Sequence, residues 1–297
     1  MTMNPLLSIL RLTRPLNLLL ALLTYTLGLG IARYLGVTVL PLPQFIGAAI
    51  ILLLLAASGM LIAYFRPFNE PLLPGAELTP GEREQLRAYL LACGAVFLGV
   101  AGLLVFLLQR DGFVQLDSAL LLVVFTLLTL ANAVPPVRLV NHGFGELVDA
   151  YLIASLAPTL AYFLQAGSFN RVLTLFTFPL FLTALACFLA LDFAAYADDL
   201  KYERRSLLIA LRWQQAVPLH NLLLIVAYFF MACMPFLGVS FALVWPALLT
   251  LPLAAYQVFA LRSIAAGARP LWTLFNVMAL AIFGLTAYLM AWTFWLG

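Results

Sequence analysis

Ionisable residues are scarce in this 297-residue chain, where Asp, Glu, Lys and Arg together make up 9%. No Asp precedes Asp111, and there are only 2 His and 3 Cys. Cys93, Cys187 and Cys233 are scattered in apolar runs without Cys-x-x-Cys or Cys/His spacing. They read as small buried hydrophobes, and neither a disulfide framework nor a zinc site is supported. A net charge of +3, with no interleaving of basic and aromatic residues, gives no footing for nucleic acid. Charge is nearly absent inside the apolar runs. That argues against ion pumps, voltage sensors and proton relays, which place ionisable groups at membrane depth.

The chain is instead 65% hydrophobic with a mean hydropathy of +1.08, outside the range of soluble domains. A helix of about 20 apolar residues crosses a bilayer. Nine such runs are present: Pro15–Tyr34, Gln44–Phe65, Leu86–Leu108, Leu116–Val134, Leu147–Gln165, Val172–Leu191, Ala216–Leu237, Phe241–Leu261 and Leu271–Leu296. The first follows Arg11 and Arg14, is too long for a signal peptide and is succeeded by similar runs, so it reads as a retained span. The expectation is an all-α integral membrane bundle forming a single domain over residues 1–297. Proline and glycine punctuate its connections at Pro41–Pro43, Arg66–Gly75, Pro135–Pro136, and Gly267 with Pro270.

Assigning connections to alternate sides puts 12 of the 15 Lys and Arg on the side of the N-terminus, leaving Arg33, Arg110 and Arg171 opposite. The positive-inside rule then predicts a cytoplasmic N-terminus in a cytoplasmic membrane. The two most polar connections, around 66–87 and 192–205, fall on that same face.

Charge is densest in LDFAAYADDLKYERRSLL, Leu191–Leu208, which holds seven of the chain's charged residues. On a helix, Asp192 and Asp199 share a face and lie about 10.5 Å apart along the axis. That is too far for one small cation to join them unaided. Asp199 and Glu203, at i and i+4, form a closer pair, and Lys201, Arg204 and Arg205 add positive charge. Two readings stay open. One is a cation-bridged diphosphate site, since Mg2+ takes oxygens jointly from carboxylates and phosphates; the other is a wetted loop obeying the orientation rule. Elsewhere, His142 and His220 read as interfacial side chains. Asn17 and Asn132 read as helix-packing or helix-end hydrogen bonders, and Glu146 and Asp149 as complements to the dipole at the start of the fifth span.

Three stretches carry a family resemblance: LRLTRPLNLLLAL (Leu10–Leu22), VPPVRLVNHGFGEL (Val134–Leu147) and DDLKYERRSLL (Asp198–Leu208). The first is similar to a basic Arg-Pro opening of the first span, and the second to a Pro-Pro-x-Arg and Gly-x-Gly-Glu connection. The third keeps Asp198, Asp199, Lys201, Arg205 and Ser206 in register with a DDxKxGxKS motif. In order on nine spans, they make the chain resemble the UbiA-type superfamily of intramembrane prenyltransferases over nearly its whole length.

That resemblance implies nine helices around a central lipid-facing chamber. Asp-rich loops after the second and sixth helices would hold Mg2+ and the diphosphate of an isoprenoid donor. It implies Asp192, Asp198 and Asp199 as catalytic carboxylates, with Asp192 and Asp199 as metal ligands; Glu203 joins them as a candidate ligand from its i, i+4 spacing to Asp199 alone. Arg138, Lys201 and Arg205 would hold the substrate; Arg66 could also touch a phosphate, and Asn69 and Glu70 could donate oxygens, although none of these three is in register with the motif. The chain departs from the pattern in two places. Ala63 and Tyr64 stand where the first Asp-rich motif begins, and Ala195 replaces the leading Asp of the second. Two functions therefore stand side by side. One is a divergent Mg2+-dependent prenyltransferase acting on an aromatic or macrocyclic acceptor, a quinone precursor or chlorophyllide-like ring. The other is an inactive subunit binding a lipid, quinone or pigment, with protein partners in a membrane complex.

Overall fold

Proline and polar caps set where the helices begin. Pro15, Pro41 and Pro80 open helices at positions where a missing N–H costs no hydrogen bond. Thr79 and Glu82 form a reciprocal capping box ahead of the third span, and Asn170 accepts from the Val172 N–H at 2.9 Å ahead of the sixth. The computed structural model describes residues 5–72 and 78–296, all helix and connection with no strand among them. A short helix, α1 (Pro5–Leu12), precedes helices long and apolar enough to cross a membrane, nine among the described residues. These are α2 (Pro15–Tyr34), α3 (Pro41–Tyr64), α4 (Pro80–Arg110), α5 (Leu116–Ala133), α6 (Gly145–Ala166), α7 (Arg171–Lys201), α8 (Leu207–Leu237), α9 (Phe241–Ala265) and α10 (Trp272–Leu296). The chain is a multi-span membrane protein.

The spans lie where the apolar runs place them, with two informative differences. Helix α7 continues past Leu191 to Lys201, so Asp192 and Asp199 do ride on one helix. Helix α8 begins at Leu207 and bends at Arg212, whose backbone (φ 63, ψ 157) leaves the helical region. Residues 73–75 of the expected Arg66–Gly75 connection lie outside the described residues.

Helix α6 is the most enclosed span and α4 among the least, with 78% and 17% of their apolar windows buried. Val96, Leu103 and Phe106 of α4 are exposed, as side chains facing lipid are expected to be. Between α7 and α10 aromatic rings pack edge-on: Phe176 meets Phe294 at 4.8 Å, and Phe188 meets Phe283 at 6.5 Å. Helix α6 is interrupted by a π turn at Leu152–Leu156, just ahead of Pro158. In this turn the Ala157 N–H reaches back to the Leu152 carbonyl, and proline has no N–H to offer the next one. The Ile153 carbonyl is satisfied from outside the helix, by the Thr24 hydroxyl of α2 at 2.5 Å. Gly28 of α2 lies directly on the Pro158 carbonyl, a contact that any Cβ would prevent.

Candidate functional site

Two connections meet over the end of the bundle that carries the N-terminus. The first, after α3, is shaped by guanidinium groups that take up its free carbonyls. Arg83 donates to the Pro67 and Glu70 carbonyls at 2.8 and 2.6 Å, Arg87 donates to the Arg66 carbonyl, and Arg66 reaches the Leu72 carbonyl at 3.1 Å. Phe68 is held under Arg87, 4.0 Å from guanidinium carbon to ring centroid. The result buries the Glu70 carboxylate, which Arg66 meets at 3.2 Å.

The second connection begins where α7 ends. The Tyr202 and Arg204 N–H groups bond back to the Asp198 and Asp199 carbonyls, and Glu203 takes a left-handed backbone with φ 53. This turn swings Arg204 across to the first connection. Its Nη2 lies 2.8 Å from Glu70 Oε1 and its Nη1 lies 3.3 Å from Asp199 Oδ1. Helix α8 then starts with the Leu207 N–H donating to Glu146 Oε2 of α6 at 3.2 Å. Glu146 thus caps a neighbouring helix, where the sequence suggested a complement to its own dipole. Asp149 is likewise spent on Arg14 and Asn132, at 2.6 and 3.0 Å.

Beneath the connections lie three cavities, all touched by Arg14. The central one, about 200 Å³, is lined by Arg66, Glu70, Arg138, Glu146, Asp192, Asp199, Arg204 and Arg205 among others. A second of about 390 Å³ is bounded by Arg11, Arg66, Asp198, Tyr202 and Arg204. A third of about 240 Å³ runs inward past Asn17, Asp149 and Asp192 to Phe188 and Leu191, where its walls turn apolar. By contrast, an apolar groove of about 600 Å³ between α8 and α9 carries one charged residue, Arg262.

The positive groups at the centre are crowded. Burial pushes the Arg66 guanidinium down to about 10; Glu70 opposes the shift, while Arg14, Arg204 and Arg138 add to it by repulsion. Arg138 is also lowered by burial, with Glu70 opposing. Its nearest acceptor is the Ile62 carbonyl at 3.5 Å, and its Nε and that of Arg204 are buried without partners. Such donors suit an anion entering the cavity.

Of the residues singled out from sequence, Asp192, Asp199, Arg66, Arg138 and Arg205 line the central cavity, and Asp198 lines the second. Asn69, Lys201 and Glu203 do not. Asn69 is exposed, Lys201 lies near the Tyr202 ring at 5.1 Å, and Glu203 is exposed because the helix that would have stacked it on Asp199 stops at Lys201. From sequence, Glu70 stood only as a possible oxygen donor out of register, Arg204 only as nearby positive charge, Arg14 only as part of a basic opening, and Glu146, Asp149 and Asn132 only as helix-end residues; the structure brings all six to the site. The signal available was the scarcity of charge itself: in so apolar a chain each ionisable group near a span end needs a partner. His220 lies apart from the cavities, fully buried between Asn221 and Gln257 at 3.2 and 3.5 Å.

The Mg2+ that the resemblance implies does not fit the place between the two connections. Among the described residues no three carboxylate, imidazole or thiol side chains gather in a way that could hold a metal ion. Glu70 and Asp199, the carboxylates that face each other across the gap, are already bridged by Arg204.

Neither a sequence-family model nor a curated relative matches the chain. Its backbone does match solved structures over almost its full length. A digeranylgeranylglyceryl phosphate synthase superposes with a TM-score of 0.59 at 15% identity, covering 99% of both chains. A UbiA homolog from Archaeoglobus fulgidus, bound to Cd2+, gives 0.58 at 16% identity, covering 95% of this chain and 99% of its own. The chain has the UbiA fold. The same homolog bound to GPP and Mg2+ gives 0.52 at 17% identity. In this UbiA-fold chain the connections after α3 and α7 stand where the resemblance expects the two Asp-rich loops, with arginines lining the space between them.

Proposed function

We propose that this UbiA-fold protein binds an isoprenoid diphosphate and passes its isoprenyl group to a hydrophobic acceptor, an aromatic or macrocyclic ring of the quinone-precursor or chlorophyllide kind. One observation carries the reading: Arg14, Arg66, Arg138, Arg204 and Arg205 converge on one cavity at the end of a membrane bundle. Guanidinium groups fixed around a departing diphosphate stabilise the charge that develops on it. The third cavity turns apolar at Phe188 and Leu191, which gives the isoprenoid tail a direction into the bundle. Relatives of the same fold were solved with GPP and with DMAPP, each with Mg2+. By the orientation rule the site faces the cytoplasm.

The test is a transfer assay on purified protein, with labelled GPP and a panel of quinone-precursor and chlorophyllide-like acceptors. Labelled product that is lost in Arg138→Gln supports the reading; no product with any acceptor removes the transferase half of it. A second reading has its own support, in the neutralisation of Glu70 and Asp199 by Arg204. On that reading the chain is a non-catalytic subunit holding an isoprenoid lipid, quinone or pigment in a membrane complex. Stoichiometric copurification with partner proteins and an intact lipid, without turnover, is its signature.

A further inference from the structure

We infer that Arg204 occupies the place of the bridging divalent cation, so that the cavity receives a diphosphate on guanidinium groups alone. The choice of ligand rests on the diphosphate reading above; the bridge itself concerns only this chain's carboxylates. Arg66, Glu70, Arg204 and Asp199 form a chain of alternating charge, with contacts of 3.2, 2.8 and 3.3 Å in that order. Its formal charges cancel, so it presents no excess negative charge to attract a dication.

At Glu70 Oε1 the geometry excludes sharing. Mg2+ holds oxygen ligands at about 2.0–2.1 Å in near-octahedral order. An ion bound to Glu70 Oε1 at that distance would press against two guanidiniums that already contact the same oxygen, and like charges so close repel strongly. The guanidinium is also a competent bridge. Its two terminal nitrogens reach two carboxylates from one rigid plane. It ties the connection after α3 to the one after α7, joining the same two loops that a bridging metal would join. The buried, unpartnered Nε atoms of Arg204 and Arg138 remain free to donate to phosphate oxygens. Asp192 and Glu146 also line the cavity and provide a different pair of carboxylates. The experiment must separate uptake there from uptake at the bridge.

The probe is Mn2+, titrated into detergent-solubilised protein and read by electron paramagnetic resonance, together with GPP binding in EDTA or in Mg2+. The wild-type protein is expected to take up no Mn2+ and to bind GPP equally well, within about twofold, in both buffers. In Arg204→Gln, folded by its thermal melt, Glu70 and Asp199 are released. That variant is expected to take up one Mn2+, to lose it again when Asp199→Asn is added, and to bind GPP about tenfold more weakly in EDTA, with recovery in Mg2+. Arg204→Lys, which keeps a cation, is expected to stay silent to Mn2+. Stoichiometric Mn2+ uptake by wild type, at this pair or at Asp192 and Glu146, overturns the inference, as does GPP binding that disappears in EDTA. If Arg204→Gln fails to fold, the wild-type measurements alone decide. If wild type binds GPP in neither buffer, the diphosphate reading falls, while Mn2+ uptake by Arg204→Gln still judges the bridge.

Discussion

The Arg14 guanidinium lies 2.6 Å from the Asp149 carboxylate, joining residues 135 positions apart. Arg14 sits between α1 and α2 in a left-handed backbone, and Asp149 belongs to α6 and also accepts from Asn132 of α5 at 3.0 Å. One carboxylate therefore ties three elements beneath the two connections. Asp149→Asn keeps the shape and removes the charge, leaving Arg14 near Arg66 without its ion-pair partner. The expected cost is on the order of 3 kcal/mol, read as an earlier thermal transition in detergent. Arg14→Gln is expected to cost a similar amount. The double variant should lose less than the sum, because each single change strands the other partner. Strictly additive losses would show that the pair is not coupled.

The Thr24 hydroxyl serves a carbonyl that α6 cannot satisfy by itself, since Pro158 follows the π turn. Thr24→Val preserves volume and orphans the Ile153 carbonyl in an apolar interior. The expected destabilisation is about 1–3 kcal/mol. Pro158→Ala restores an N–H at the position where a donor was lacking, so Thr24→Val is expected to be milder in that background. A thermal-unfolding cycle over the four proteins measures the difference; equal cost in both backgrounds removes the link between the threonine and the proline.

The spans were legible because an apolar run of bilayer length is a strong signal that needs no knowledge of its neighbours. The shared face of Asp192 and Asp199 was legible for a similar reason, since helical periodicity fixes it locally. The pairing of Asp199 with Glu203 was not, because that inference assumed the helix ran on, whereas it ends at Lys201 and Glu203 turns outward. Long-range partners lay beyond local rules. Nothing in FNEPLL says that Glu70 meets Arg204, and nothing in GELVDA says that Asp149 meets Arg14. Those contacts depend on how α1, α3, α6 and α7 pack. The π turn left one trace, a proline inside a span, which marks a disturbed helix without naming the hydroxyl that repairs it.

Crowding of cations at the site has a thermodynamic consequence for anion binding. Even when lowered to about 10, the Arg66 guanidinium is charged at neutral pH in folded and unfolded protein alike. A cation whose folded pKa lies below its unfolded value weakens the fold at every pH below about 10. The penalty fades as pH rises through that value and the folded form loses its proton first. A bound anion offsets the penalty, so pyrophosphate is expected to raise the Tm at about pH 7 and to raise it less in Arg66→Gln. The shift should shrink with added salt and again as pH passes about 10. Thermal scans with and without pyrophosphate across that range check it. A shift that persists unchanged through the titration of Arg66, or in its absence, contradicts the assignment.

Substitutions on either side of the second connection separate an anion site from a merely polar loop. Lys201 and Glu203 flank Tyr202 and face outward, whereas Arg138 lines the cavity with an unpartnered buried nitrogen. If this end of the bundle acts only through its overall charge, Lys201→Ala and Arg138→Gln remove the same unit of positive charge and weaken GPP binding alike. If the cavity holds the diphosphate, position decides. Arg138→Gln is then expected to raise the Kd for GPP about tenfold, as losing a charge-assisted contact does, while Lys201→Ala and Glu203→Gln stay within about twofold. Isothermal titration with GPP at fixed ionic strength reads all three. Removing Arg138 also relieves the burial of an unpartnered Nε, so its variant should melt no earlier than wild type without ligand, and a loss of affinity cannot then be ascribed to unfolding.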